Sequence, residues 1–471
     1  MSKIKAETSK KNSPHVNLTE GAVHKHLIRM TLPMMIGVAA TMGFLLADTY
    51  FIGRLGAAEL AAMGFVGPII MIIVSASIGL SAGTSSVMAR ASGRGDQKEL
   101  VKLATNSFIV SVVISLFFTL AGRLTIDPLF KLMGADEATM PLIRNYMQVW
   151  YWTPVFIIVP MVAMGVMRAL GDTALQGKLM ILAALANIIL DPILIFGLLG
   201  FPRLEMAGAA LATILARGGT FIAVMYYLTY RFHVITFSKE ILDSFQDSFR
   251  KIMHVGIPAM GTNMIIPLSG GVVITIIALF GNDAVAGTNV ALRIESMTII
   301  VFYALSAVIG PFAGQNMGSG RHDRIEKALR QIALFAVIWG GFLAVTIGLL
   351  APYITPFFSD DAAIQDITNS YLYILPISYG AYGFVMTANA TFNGLGKPVP
   401  GVIISALRVA IFQFPLVMIA AFFLADMRYV FWASSLSNIL AGIIAYIWIM
   451  RTIRQERMAA DLTSEISPSH I

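Results

Sequence analysis

The sequence predicts an all-α integral membrane protein whose 12 transmembrane helices form two pseudo-symmetric six-helix bundles. Three observations carry this. Of 471 residues, 57% are hydrophobic and only 13% charged, with a mean hydropathy of +0.77, whereas a soluble domain carries roughly a quarter charged residues. Apolar runs of about 20 residues, the length that crosses the hydrocarbon core, recur twelve times. The second half of the chain also repeats the first at a constant offset, 258 − 33 = 225 residues, from Pro33 to Pro258.

The first six spans fall at 27–53, 62–88, 101–122, 141–168, 175–199 and 207–230. A polar, charged linker at 231–251 separates them from spans at 252–279, 284–312, 327–351, 367–393, 399–424 and 429–450. Hydrocarbon offers backbone amides no partners, so such runs are helices or barrel strands, and runs of this length without strict alternation are helices. The organisation is then a tail at 1–26, an N-terminal half at 27–230, the linker at 231–251, a C-terminal half at 252–451 and a tail at 452–471. Met1 to Glu20 is polar and lysine-rich without an apolar core, so no cleaved signal peptide is expected.

The offset of 225 superposes Gly56 on Gly281, Gly93 and Gly95 on Gly318 and Gly320, and Tyr146 on Tyr371. It also takes Leu170-Gly171 to Leu395-Gly396, and Leu211, Ile214, Leu215 and Ala216 to Leu436, Ile439, Leu440 and Ala441. Six spans, an even number, separate the copies, so the halves share one orientation and are related by an axis along the membrane normal. Two like-oriented bundles facing each other imply a central cleft, the arrangement expected of an alternating-access transporter.

Basic residues give the orientation. Arg90, Arg94, Lys98 and Lys102 follow the second span, Arg168 and Lys178 flank the turn after the fourth, and Arg231, Lys239, Arg250 and Lys251 follow the sixth. Arg321, Arg324, Lys327 and Arg330 follow the eighth, Lys397 the tenth, and Arg451, Arg454 and Arg457 the twelfth. The turn after the ninth has Asp360, Asp361 and Asp366 without Lys or Arg, and that after the third is mixed, with Arg123 and Lys131 beside Asp127, Asp136 and Glu137. Both termini are therefore expected in the cytoplasm. The net charge of +7 is spread over these turns, which argues for membrane orientation and against a nucleic-acid partner.

Several chemistries are not expected. The chain has no cysteine, hence no disulfide or thiolate chemistry, and no Walker A pattern for ATP. Its seven histidines, His15, His24, His26, His233, His254, His322 and His470, sit in tails, turns or at a span edge, which predicts no metal cluster and no cofactor. Gly93-Arg94-Gly95 and Gly318-Ser319-Gly320 read as turns, and no catalytic cluster marks an enzyme.

Charges inside spans are costly, roughly 2.5–3.5 kcal/mol at mid-depth on insertion scales, and mark functional sites. Asp48 stands near the far end of the first span and Asp191 in the fifth, within Asn187-Ile188-Ile189-Leu190-Asp191-Pro192. Asn187 and Asp191 are four apart and share a helix face. Pro192 cannot donate to the carbonyl of Ile188, which leaves a free acceptor one turn from the carboxylate. These oxygens suit a proton or a hard monovalent cation, so H⁺ is the expected coupling ion, with Na⁺ at Asp48, Asn187 and Asp191 as the alternative. Both acids fall toward the outer side of spans running the same way, which makes a meeting possible. At the offset, Asp48 falls on Val273 and Asp191 on Leu416, so the acidic pair has no copy.

Pro33 offers a bend near the inner end of the first span. Arg293 and Glu295 lie early in the eighth span, two apart and off a common face, so each pairs with another helix or lines a cavity entrance. Met34, Met35, Met164, Tyr379 and Tyr382 are part of a wider abundance of Met and Tyr, adaptable and aromatic surfaces that suit varied flat cations.

On these residues the chain resembles the multidrug and toxic compound extrusion (MATE) transporters, and within them the DNA-damage-inducible protein F type branch. The likeness runs from about Leu27 to Arg451. It rests on the two six-span halves, Pro33 and Ala47-Asp48-Thr49, the glycine-rich basic turns, and Asn187-x-x-x-Asp191-Pro192. The resemblance implies export of cationic and hydrophobic drugs and dyes in exchange for H⁺ or Na⁺ by a monomer in a bacterial or archaeal cytoplasmic membrane. It also implies a cation site in the N-terminal half made by Asp48, Asn187 and Asp191, with Tyr146 nearby and Thr213 as a further member. Other branches keep acidic residues in spans 7 and 10; here 256–280 and 371–393 contain none, which favours coupling through the N-terminal half. The rivals are a lipid-linked saccharide flippase, which needs interior cations and has Arg293 as the candidate, and an ion channel.

Overall fold

The computed structural model describes residues 16–466 other than 237, 239, 240, 242 and 425. His15, Lys239, His470 and the outer parts of both tails lie outside the described residues. The elements are α1 (Val23–Gly53), α2 (Ala57–Arg94), α3 (Gln97–Leu132), α4 (Met140–Trp150), α5 (Thr153–Ala169), α6 (Thr173–Phe196) and α7 (Glu205–Tyr226), the last closing in a π turn at Tyr227–Arg231. After the linker come α8 (Phe245–Ile277), α9 (Asn282–Thr298), α10 (Ile300–Gly318), α11 (His322–Ile354), α12 (Ala362–Ile374) and α13 (Tyr379–Leu395). Then follow α14 (Val399–Ala406), α15 (Phe414–Ile419) and α16 (Met427–Ile466), with a π-helical stretch at Leu407–Gln413 between α14 and α15. Among the described residues there is no strand.

Among the described residues ten helices are long and apolar enough to cross a bilayer, and α4 with α5, bent by 47° and read as one broken span, make the eleventh. The twelfth is α12 and α13, of 13 and 17 residues, joined by a 3-10 turn at Leu375–Ser378. The eighth span is likewise interrupted, at Ile299 between α9 and α10. Rows of exposed apolar side chains at helical spacing, Val113, Phe117, Leu120 and Leu124 on α3 and Leu334, Ile338, Phe342, Val345 and Leu349 on α11, present faces that suit lipid. The chain is a multi-pass membrane protein.

Local chemistry starts and stops these helices. Asp96 Oδ1 accepts from Glu99 N at 2.9 Å to cap α3, Asp172 Oδ1 from Leu175 N at 3.0 Å to cap α6, and Asp361 Oδ1 from Ala363 N at 2.8 Å to cap α12. The repeat reappears in the backbone: Gly95 and Gly320 both have φ +72°, and Gly171 and Gly396 have +84° and +77°, left-handed turns that glycine takes without strain. The break between α4 and α5 at 151–152 maps, by the offset, onto 376–377 inside the 3-10 turn.

The chain divides into two compact units. One takes Leu32–Met260 with the residues up to Glu20, the other Gly21–Thr31 with Gly261–Ile471. The divisions fall inside α1 and α8, close to the repeated prolines Pro33 and Pro258. In the first unit α2 packs closely on α5 and α6 on α7; in the second α10 packs on α13 and α9 on α12. The linker is fastened to α3: Asn106 Nδ2 donates to Ser248 Oγ at 2.9 Å and Ile241 O at 3.3 Å, and Lys251 reaches Asp247 at 3.0 Å and Glu99 at 3.3 Å.

Candidate cation site

Two helices bring the acids together. A Cβ placed on Gly177 of α6 would stand 2.4 Å from the Pro33 carbonyl oxygen of α1, and one on Gly37 would stand 3.1 Å from the Gly177 Cα. Only glycine permits this backbone approach. From it, Asp48 lies 48 − 33 = 15 residues along α1 and Asp191 lies 191 − 177 = 14 residues along α6. At a rise of 1.5 Å per residue these are nearly equal distances, about 21–23 Å. The two carboxylates interact electrostatically with each other, and both act on the buried Tyr146 hydroxyl.

Asn187 and Asp191 are both buried. The amide orientation that satisfies both ends has Asn187 donating to Asp191 Oδ2 at 2.9 Å and accepting from Thr213 N at 3.2 Å. With the amide turned over, its nitrogen meets only Thr213 Oγ1, at 3.4 Å, so the first orientation holds. Oδ1 of Asp48 and Oδ1 of Asp191 are buried without a protein hydrogen-bond donor. Buried carboxylate oxygens in this state are costly unless a proton or cation satisfies them. Asp48, Asn187, Asp191, Tyr146 and Thr213 therefore form one group. Among the described residues no cluster of three or more His, Cys, Asp or Glu offers a metal site.

The remaining candidates fall into two groups. Met34 and Met164 are buried and Met35 half-buried in the first unit, where α1 runs uninterrupted through Pro33 and α6 through Pro192. Tyr379, Tyr382 and Glu295 belong to the second unit: Tyr371 Oη donates to Glu295 Oε2, as does Tyr379 Oη at 3.3 Å. Arg293 is exposed. At the position equivalent to Asp48, Val273 lines an apolar cavity of about 350 Å³ with Val409, Phe414 and Val417, and Ser269 Oγ donates to Gln413 Oε1 there at 2.7 Å.

Two interior cations are absent from the sequence-derived candidates. Arg217 lies in α7 with its guanidinium 5.9 Å from the Phe44 ring centre. Arg408 is buried in the π-helical stretch, 4.9 Å over the Tyr382 ring, and donates to Asn438 Oδ1 at 3.0 Å. Each sits inside an apolar run, and that signal finds them. Arg217 and Arg408, and not the exposed Arg293, are thus the interior cations the flippase alternative could use.

With this geometry, comparison with known proteins places the chain. The MatE family model matches residues 33–193 and again 258–419, two copies that begin 225 residues apart (258 − 33). The chain is 32% identical over 429 residues to the FAD transporter of Shewanella oneidensis, covering 91% of this chain and 95% of the relative. It is 24% identical over 452 residues to the multidrug export protein MepA of Staphylococcus aureus, covering 94% and 96%. Among solved structures it is similar to the Vibrio cholerae MATE transporter VcmN in the bent form, with a TM-score of 0.87 and 30% identity over 93% of this chain and 98% of that one. The chain belongs to the MatE family of transporters.

Proposed function

We propose that the chain is a monomeric secondary antiporter of a prokaryotic cytoplasmic membrane, with both termini in the cytoplasm, that exports cationic, apolar molecules by alternating access in exchange for H⁺. The observation that carries this reading is the pair Asp48 and Asp191, whose buried Oδ1 atoms have no protein donor. A buried carboxylate oxygen without a donor is satisfied by a proton, which either Oδ1 is placed to hold. A proton on Asp48 relieves its repulsion from the Asp191 carboxylate on α6, which biases the position of α1 beside a site lined by Met34, Met35 and Met164. Na⁺ is the alternative occupant, since the group supplies oxygens at one point.

The test is efflux of a fluorescent organic cation from proteoliposomes under an imposed pH gradient or an imposed Na⁺ gradient. Transport should follow the pH gradient and fall to background in Asp48→Asn. Normal transport by Asp48→Asn sinks the mechanism, and dependence on Na⁺ alone replaces the ion.

A second reading has its own support: the relative from Shewanella oneidensis is named an FAD transporter, and Arg217 and Arg408 are interior cations of the kind a diphosphate needs. Liposomes loaded with FAD in the same assay separate the two substrates.

A further inference from the structure

Three irregular stretches of helix meet at one place in the second unit. Glu295 lies in the last turn of α9, one turn before the break at Ile299, whose amide bonds to the Glu295 carbonyl at 3.0 Å. Tyr371 and Tyr379 flank the 3-10 turn at Leu375–Ser378. Arg408 lies in the π-helical stretch Leu407–Gln413. Broken and π-helical turns inside membranes mark sites of function, because freed backbone groups and side chains there must be satisfied by what they enclose.

The side chains form one network. Both phenol hydrogen bonds to Glu295, from Tyr371 and Tyr379, end on Oε2, so Oε1 is where a proton can bind. Arg408 acts on Glu295 through space while its guanidinium is held elsewhere, on the face of Tyr382 and by Asn438. Asn438 is fixed in turn by donating to Ser378 Oγ at 3.1 Å, within the 3-10 turn. Tyr303 completes the charged and titratable surroundings of Glu295. A purely structural carboxylate beside a guanidinium gains most from direct contact; here the two are kept apart, so the carboxylate's charge is balanced only in part.

We propose that Glu295 binds and releases a proton, which makes the Glu295, Tyr371, Tyr379 and Arg408 network a second proton site, in the half of the chain that lacks a counterpart of Asp48. The proton adds to Oε1 from water and returns to it. When it is present, the attraction between Glu295 and Arg408 ends and the junctions at Ile299 and Leu375–Ser378 are freed to move apart. The inference extends the proton-coupled reading above to the second unit, and its test does not depend on transport.

The experiment is pH-titrated difference infrared spectroscopy of the full-length protein in lipid nanodiscs, with carbon-13 glutamate to separate Glu from Asp. A glutamic-acid carbonyl band at the high frequency of a carboxyl shielded from water, distinct from the bands of the ten other glutamates, should titrate in the wild type, persist in Asp48→Asn and vanish in Glu295→Gln. In Tyr371→Phe its midpoint should move to higher pH by about one unit, the effect of losing one hydrogen bond to an ionised group. Survival of that high-frequency band in Glu295→Gln overturns the proposal, as does an unmoved midpoint in Tyr371→Phe, which decides the matter if Glu295→Gln does not fold. Retained drug efflux in Asp48→Asn would refute the first-unit mechanism while leaving this result standing.

Discussion

The Pro33 carbonyl oxygen of α1 and the Gly177 of α6 meet with no room for a side chain: a Cβ on Gly177 would lie 2.4 Å from that oxygen, and the obstacle is backbone. This contact sets the register in which Asp48 faces Asp191. Gly177→Ala should push α1 away and cost about 1–3 kcal/mol, the usual range for overpacking. Efflux should drop several-fold although every polar residue of the site is intact. Wild-type efflux together with wild-type thermal stability in Gly177→Ala would show that the close approach does not matter.

Asn187 holds Asp191 Oδ2 at 2.9 Å from one turn away. Removing the donor leaves a buried carboxylate oxygen unpaired, at a cost of about 1–3 kcal/mol or more for a charged group. Asn187→Ala should therefore lower thermal stability. The loss should shrink in the Asp191→Asn background, where no full charge awaits a partner. Additive losses in a double-mutant cycle would mean that the two residues act independently.

The twelve spans are legible in the sequence because composition and run length alone decide them. The Asn187 and Asp191 face is legible because four residues make one turn of helix. The meeting of Asp48 with that face is not, since it depends on how closely α1 approaches α6, and the glycines that permit it, Gly37 and Gly177, are two among 40. The break at Ile299 carries no proline or glycine of its own, whereas the π-helical stretch around Arg408 ends two residues before Pro415, which cannot donate to the Ile411 carbonyl within it. Arg217 and Arg408 were within reach, as each is a charge inside an apolar run.

Thr213 enters the site through its backbone. In the satisfied orientation of Asn187, the Thr213 N–H meets the amide oxygen at 3.2 Å, and the hydroxyl is not needed. Thr213→Val, which keeps shape and backbone, should leave pH-driven efflux within about twofold of wild type, a change of under about 0.5 kcal/mol. A tenfold loss would point to the hydroxyl as a ligand of the coupling ion, and so to Na⁺ in place of H⁺.

The linker offers a comparison between a buried amide and an exposed ion pair. Asn106 is fully buried and bonds Ser248 Oγ and Ile241 O, whereas Lys251 pairs with Asp247 and Glu99 with its side chain 44% exposed. Exposed pairs contribute about 0–1 kcal/mol, and salt screens them. Loss of a buried donor costs about 1–3 kcal/mol, since Ser248 Oγ loses the Asn106 amide, although the Ile241 carbonyl still accepts from Ser244 Oγ at 2.8 Å. Asn106→Ala should therefore lower the thermal midpoint clearly, equally at low and high salt. Lys251→Ala should lower it slightly at low salt and not at all in molar salt. A larger loss for Lys251→Ala than for Asn106→Ala would reverse the assignment of what fastens the linker to α3.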